Sequence, residues 1–149
     1  MRYLIVVDMQ NDFVTGSLGS KMAEMIVPAV CEKIRRYKAQ GSTVFMTLDT
    51  HFKDYLETPE GKKLPVEHCI KGTEGWQPET QVAEAIGGSA EVYEKSTFGS
   101  AELAQHLAEI TKAGDEIELC GLCTDICVVS NALLIKAFCP ECEVIVDAN

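Results

Sequence analysis

This sequence predicts an α/β fold: a doubly wound, mostly parallel sheet with helices on both faces. Short apolar, β-rich runs alternate with helical stretches, the pattern of a parallel sheet layered with helices. The first run, YLIVV at residues 3–7, is apolar throughout, as a strand covered on both faces must be. A residue able to do chemistry follows each of the first four runs, on the side where such sheets bind ligands: Asp8, Asp49, Lys95 and, in the turn after the fourth, Cys127.

The elements follow in order. The strand at 3–7 stops at Asp8, and a loop with Gly16 and Gly19 leads to a helix over about 27–40. Pro28 is tolerated in its first turn, Gly41 ends it, and Val30, Ile34 and Tyr37 form its buried stripe. A second strand, TVFMTL at 43–48, stops at Asp49. Residues 50–77 are irregular, and a loop of that length in a compact domain is usually functional. A short helix over about 78–86 ends at Gly87 and Gly88, and a strand at 91–94 leads to Lys95. Helix over 100–113 starts from Ser100 as N-cap and stops before Gly114. A strand at 117–120, an almost wholly apolar helix over 127–138 and a strand at 143–146 complete the pattern.

The 149 residues, 46% hydrophobic and 24% charged, read as a single domain over 1–149. A chain of this size buries roughly 70% of its unfolded surface, enough for a core without disulfides or structural metal. The net charge of −10 argues against a nucleic-acid or anionic-membrane partner and leaves a small molecule or another protein. No apolar run reaches the roughly 18 to 20 residues of a membrane span, and Met1 leads straight into a strand, so a soluble, cytoplasmic protein is expected. Seven cysteines, an odd number, make a disulfide framework a poor reading and leave at least one thiol free.

Cys127 follows the turn Gly121-Leu122-Cys123-Thr124-Asp125-Ile126 and opens a helix. Backbone N–H groups and the helix dipole there favour a thiolate and can hold an oxyanion; the alternative is a buried cysteine acting as a small hydrophobe. Asp8 at the mouth of the site can shuttle a proton for such a thiol, or merely cap a turn. Asp49 and His51 flank Thr50, so in an extended segment both side chains point the same way. With His68 from the same loop they suit zinc, manganese or ferrous iron. His106, mid-helix, takes a surface role. A competing site is Cys120-x-x-Cys123 with Cys139-x-x-Cys142, the spacing of a zinc ribbon. Against it, the intervening residues are helix-prone, and such a helix separates its ends by about 22 Å, whereas one zinc needs every sulfur within about 2.3 Å. Phe13, Trp76 and Phe98 are loop aromatics able to stack on a flat ring.

Three segments, LIVVDMQNDF with Asp8, YEKSTFGS with Lys95 and CGLCTDICV with Cys127, together resemble the isochorismatase-like cysteine hydrolases, from one end of the chain to the other. Asp49-Thr50-His51 and His68 in EHCIKGTEGW are similar to the metal ligands of the nicotinamidase/pyrazinamidase branch, which the isochorismatase branch lacks. The resemblance implies Cys127 as nucleophile, Asp8 as proton carrier and Lys95 as its partner, with an oxyanion held by the backbone N–H groups of Ile126 and Cys127. It implies a divalent ion (zinc, manganese or iron) that ligates a substrate ring nitrogen, with Glu60 as a further ligand and Glu57 as the runner-up. A non-proline cis peptide is implied around Leu122 and Cys123, and Phe13 and Trp76 are expected at the substrate.

Two departures stand out. Family members usually continue for another helix and strand beyond VIVDAN, so the sheet is expected to lack them, leaving an apolar edge that favours self-association. Cys123 replaces a small or aliphatic residue and is a candidate oxidation partner for Cys127. The leading expectation is a metal-containing cysteine amidase acting on nicotinamide or a similar small carboxamide, in a homo-oligomer. A metal-free isochorismatase-like hydrolase is the second reading, and a catalytically silent or zinc-binding domain the third.

Overall fold

The computed structural model describes residues 1–88, 90–122 and 124–147, without the side chains of Thr124 and Asp125. Five strands, β1 (Arg2–Val7), β2 (Thr43–Asp49), β3 (Glu91–Lys95), β4 (Glu116–Gly121) and β5 (Glu143–Val146), form one sheet in the order β3-β2-β1-β4-β5. Every pairing is parallel. The helices are α1 (Asn11–Val14), α2 (Lys21–Ala39), α3 (Pro59–Lys63), α4 (Thr80–Ile86), α5 (Ala101–Ile110) and α6 (Val129–Phe138). The chain steps outward from β1 to β3, then crosses to the other side of β1 for β4 and β5. α2 and α4 pack together on one face, α5 and α6 on the other.

Alternation along β1 divides the core between these faces. Leu4 and Val6 point toward Val30, Ile34, Met46 and Val82, while Tyr3, Ile5 and Val7 point toward Leu103, Leu107, Leu119 and Ile135. The register brings the carboxyl ends of four strands level: Val7 lies opposite both Thr47 and Gly121, and Asp49 lies opposite Lys95. At Gly121 a side chain is excluded twice over, because φ is +126° and a Cβ would fall 2.2 Å from the Val7 carbonyl oxygen. The chain order reverses between β1 and β4, where sheets of this kind open a crevice.

Several boundaries differ from the sequence reading. α2 starts at Lys21, because the Ser20 hydroxyl accepts from the Ala23 N–H, so Pro28 lies well inside the helix and not in its first turn. Met22 and Met25 on the early turns are exposed, which hid the buried stripe of Ala23 and Val27. α5 stops at Ile110, three residues short of the expected end. There the Thr111 hydroxyl donates to the Leu107 carbonyl, and the Lys112 N–H donates to Asp115. The long loop contains α3 and single turns at Tyr55–Glu57 and Glu74–Trp76. Residues 127–128 belong to a π-helical turn, Thr124–Val128, that runs into α6, and α6 leaves Leu133 67% exposed in spite of its apolar sequence.

The zinc-ribbon alternative fails on topology. Cys120 packs on the α2 side of the sheet, whereas Cys139 and Cys142 pack on the α5–α6 side, with the sheet between them. Cys123, and with it the expected cis peptide and the pairing with Cys127, lies outside the described residues. Cys31, Cys69, Cys120, Cys139 and Cys142 are free thiols, and burial pushes that of Cys120 up to about 12. Among the described residues no helix is long and apolar enough to cross a membrane.

Ser20→Ala is expected to cost about 1 kcal/mol in urea or guanidinium unfolding. A helix starting near residue 27 would leave the midpoint unchanged.

Candidate active site and metal centre

β1 ends by delivering Asp8 into the interior with a left-handed backbone, φ +51°, a conformation costing about 1–3 kcal/mol in a non-glycine residue. Its surroundings hold it there. The Asp8 N–H donates to the Thr47 carbonyl (3.1 Å), Oδ1 accepts from the Thr47 hydroxyl (2.8 Å) and Oδ2 accepts from Lys95 Nζ (2.8 Å). Lys95, the last residue of β3, also donates to the Thr97 carbonyl (3.2 Å) and lies 3.8 Å from Asp49 Oδ1. Asp8 is wholly buried and Lys95 nearly so. Burial raises the Asp8 pKa above the ordinary carboxylate range, against the pull of Lys95. Lys95 is raised as well: burial opposes its charge, but the charges of Asp8, Cys127 and Asp49 outweigh that cost.

Cys127 lies across the β1–β4 crevice, buried, within the electrostatic reach of Lys95. The amino-terminal turn of the helical segment carries it, where backbone N–H groups point out of the helix end. Asn131, one turn on and fully buried, holds this turn in place: Nδ2 donates to the carbonyls of Cys127 (2.8 Å) and Phe98 (3.2 Å), and Oδ1 accepts from the Ser100 N–H (2.9 Å). One amide thereby ties the Cys127 turn to the loop that follows Lys95.

The second cluster is built by a loop that leaves β2 and returns beside it. Residues at 51 and 70 pair as a parallel bridge, with the His51 N–H donating to the Cys69 carbonyl (2.9 Å) and the Lys71 N–H to the His51 carbonyl (2.9 Å). The return brings His68 to Asp49 and His51, whose ligand atoms together with its own lie within 4.8 Å of one another. His51 Nε2 is 3.1 Å from Asp49 Oδ2 and 3.3 Å from Glu60 Oε2; His68 Nε2 is 3.4 Å and 3.9 Å from the same two atoms. Glu60, on α3, is turned into the cluster, whereas Glu57 is exposed. Tyr55 packs its ring 4.7 Å from that of His51 and 5.0 Å from that of His68.

The donor set fits a divalent cation. His68 Nδ1 lies 2.8 Å from the Val66 carbonyl, an acceptor that places the proton on Nδ1 and turns the Nε2 lone pair toward two carboxylates, an arrangement a cation relieves. Burial alone would raise the Asp49 pKa; the His51 and His68 imidazoles beside it, with Lys95, hold it instead well below the carboxylate range. His68 is raised, burial being outweighed by Asp49, Val66 and Glu60.

Beside this cluster opens a cleft of about 850 Å³, lined by His51, Phe52, Glu60, Leu64, Phe98 and Ile126 among others. Phe13 and Trp76 pack against the loop that carries the His51–His68 cluster: the Phe13 ring lies 5.5 Å from that of His68, and Trp76 Nε1 donates to the Thr50 hydroxyl (3.0 Å). His106 is half-buried against Phe45 and Tyr93.

Four structural partners escaped the sequence reading: Gln10, Thr47, Tyr55 and Asn131. Buried Gln10 uses its whole amide, accepting from the Asp49 N–H (2.8 Å) and donating to the carbonyls of Asp49 and Trp76 (both 2.9 Å), so it locks the end of β2 to the loop. Thr47 in TVFMTL and Asn131 in VVSNALLI were visible as polar residues inside apolar runs. Nothing local in the sequence marks Gln10 or Tyr55.

The isochorismatase domain model matches residues 2–149. The "Uncharacterized isochorismatase family protein PncA" of Bacillus subtilis (strain 168) is 30% identical over 148 residues, covering 87% of this chain and 75% of that protein. The crystal structure of nicotinamidase/pyrazinamidase PncA from Bacillus subtilis superposes with a TM-score of 0.82 at 26% identity, covering 97% of this chain and 82% of that one. That of N-carbamoylsarcosine amidase from Thermoplasma acidophilum does so with a TM-score of 0.81 at 26% identity, covering 97% and 80%. A model match spanning almost the whole chain, with the predicted parallel sheet beneath it, places this protein in the isochorismatase family.

Proposed function

We propose that the protein is a metal-containing cysteine amidohydrolase that converts nicotinamide, or a similar small carboxamide, to the acid and ammonia through a thioester on Cys127. One observation carries this reading: the buried Asp8–Lys95 pair beside Cys127 sits within 3.8 Å of the carboxylate that also anchors the His51, His68 and Glu60 cluster. Acid–base machinery and metal centre thus share one site. Similarity to a nicotinamidase/pyrazinamidase supports the carboxamide, and similarity to an N-carbamoylsarcosine amidase keeps other small amides within the class.

In this mechanism Asp8 takes the Cys127 thiol proton, and a carboxylate made more basic by burial is suited to that task. The thiolate attacks the amide carbon, and the N–H groups of Ile126 and Cys127 stabilise the oxyanion. Asp8 returns the proton to the leaving nitrogen as the C–N bond breaks, releasing ammonia. A water that gives its proton to Asp8 then attacks the thioester, the C–S bond breaks, and the proton passes back to sulfur. Lys95 keeps Asp8 oriented and compensates the negative charge of the carboxylate and thiolate. A divalent ion held by Asp49, His51, His68 and Glu60 would supply a fixed binding point for a heteroatom of the substrate. Phe52 and Phe98 line the cleft where a flat ring would lie, with Phe13 and Trp76 backing the metal loop. Exposed Leu133, Phe138 and Val146 support self-association.

Purified protein supplied with zinc or manganese is expected to release ammonia from nicotinamide, and Cys127→Ala to lower turnover by about 10³-fold or more while retaining fold and metal. No release by folded, metal-loaded protein would overturn nicotinamide as substrate. Glu60→Gln is expected to weaken metal affinity about 10- to 100-fold in a chelator competition, and Glu57→Gln to leave it unchanged. Asn131→Ala strips partners from the Cys127 carbonyl and the Ser100 N–H, and should cost about 1–3 kcal/mol in denaturant unfolding.

A further inference from the structure

Cys139 and Cys142 belong to no part of the site described above. They lie at the other end of the sheet, because Cys142 directly precedes β5, whose first residue pairs with Glu116 at the start of β4. The Cys142 N–H donates to the Cys139 carbonyl (3.1 Å), closing a β-turn with Pro140 and Glu141 at its corner. A turn of this kind holds its first and fourth Cα atoms within about 7 Å, and a disulfide needs them about 4.4–6.8 Å apart. The two thiols are near enough for each to feel the other.

The turn is strapped to the segment between α5 and β4. The Thr111 hydroxyl lies 3.7 Å from Cys139 Sγ, Cys142 Sγ lies 3.5 Å from the Lys112 carbonyl, and the Gly114 N–H donates to the Glu141 carbonyl (2.9 Å). Lys136 Nζ donates to the carbonyls of Pro140 (3.2 Å) and Cys142 (2.7 Å), which ties the turn to the end of α6, while burial pushes the Cys139 thiol up. Pro140 and Glu141 are exposed, so local opening of one turn brings the sulfurs to solvent while the core stays closed.

We propose that Cys139 and Cys142 form a reversible dithiol–disulfide site, oxidised by small-molecule disulfides of the glutathione type. One thiolate attacks a sulfur of the added disulfide and expels one thiolate; the second cysteine then attacks the mixed disulfide and expels the other. The protein loses two protons and two electrons, and the added disulfide takes them up to become two thiols. The new bond staples the end of α6 to the start of β5. Cys120, on the opposite face of the sheet, cannot reach either sulfur.

The test equilibrates the native protein in glutathione buffers of increasing oxidised fraction, blocks free thiols with N-ethylmaleimide and digests with trypsin. Residues 137–149 contain no Lys or Arg, so trypsin cuts after Lys136 and leaves Cys139 and Cys142 on one peptide with no other cysteine through residue 149. The expected result is recovery of that peptide unblocked and lighter by two hydrogens, at an oxidised-to-reduced ratio at least about tenfold below that needed by any other cysteine. Circular dichroism should stay native throughout. In Cys142→Ser, Cys139 should instead retain glutathione. Recovery of the peptide with both cysteines blocked at every ratio overturns the proposal, as does either cysteine joined to a different one.

Discussion

One ammonium, Lys95, holds together a site that burial would otherwise make untenable. Asp8 and Asp49 are both taken out of water at the ends of adjacent strands, and Lys95 meets the first at 2.8 Å and stands 3.8 Å from the second. Breaking a pair buried to this degree leaves an uncompensated charge inside, at a cost of about 3–5 kcal/mol. The register that sets Asp49 opposite Lys95 and Val7 opposite Thr47 is therefore the geometric condition for the chemistry. A shift of one residue in either strand would turn these side chains to the other face.

Lys95 alone does not balance the charge. Asp49 also lies against the imidazoles of His51 and His68, and these keep it ionised despite its burial. The two carboxylates are consequently driven apart in basicity: Asp8 upward, as the proposed proton carrier requires, and Asp49 downward, as the proposed metal ligand requires. Similar residues at successive strand ends thus acquire different roles from their neighbours.

Backbone-directed amides supply the rigidity that such a site needs. Gln10 engages both polar backbone atoms of Asp49, and Asn131 ties the Cys127 turn to the segment after Lys95. Each is fully buried with its amide satisfied, so each fixes a loop whose own hydrogen-bonding pattern would leave it free to move. The left-handed backbone at Asp8 is held in the same way, by contacts on both carboxylate oxygens and on its own N–H.

The sequence by itself determined the alternation of strands and helices, and so the parallel sheet, because apolar run length and periodicity are local properties of the chain. It also placed Asp8, Asp49, Lys95 and Cys127 at the ligand-binding end, since each sits at a strand terminus or in the turn beyond. His51 was legible from its spacing to Asp49, His68 from its place in the same loop, and Glu60 from family resemblance. What lay beyond it were the contacts that close long distances: the start of α2 at a serine cap seven residues before the expected helix start, the choice of Glu60 over Glu57, the grip of Gln10 and Asn131, and the sheet that separates Cys120 from Cys139 and Cys142. Those depend on which faces meet after the chain has crossed from β3 to β4. Only packing in three dimensions decides that.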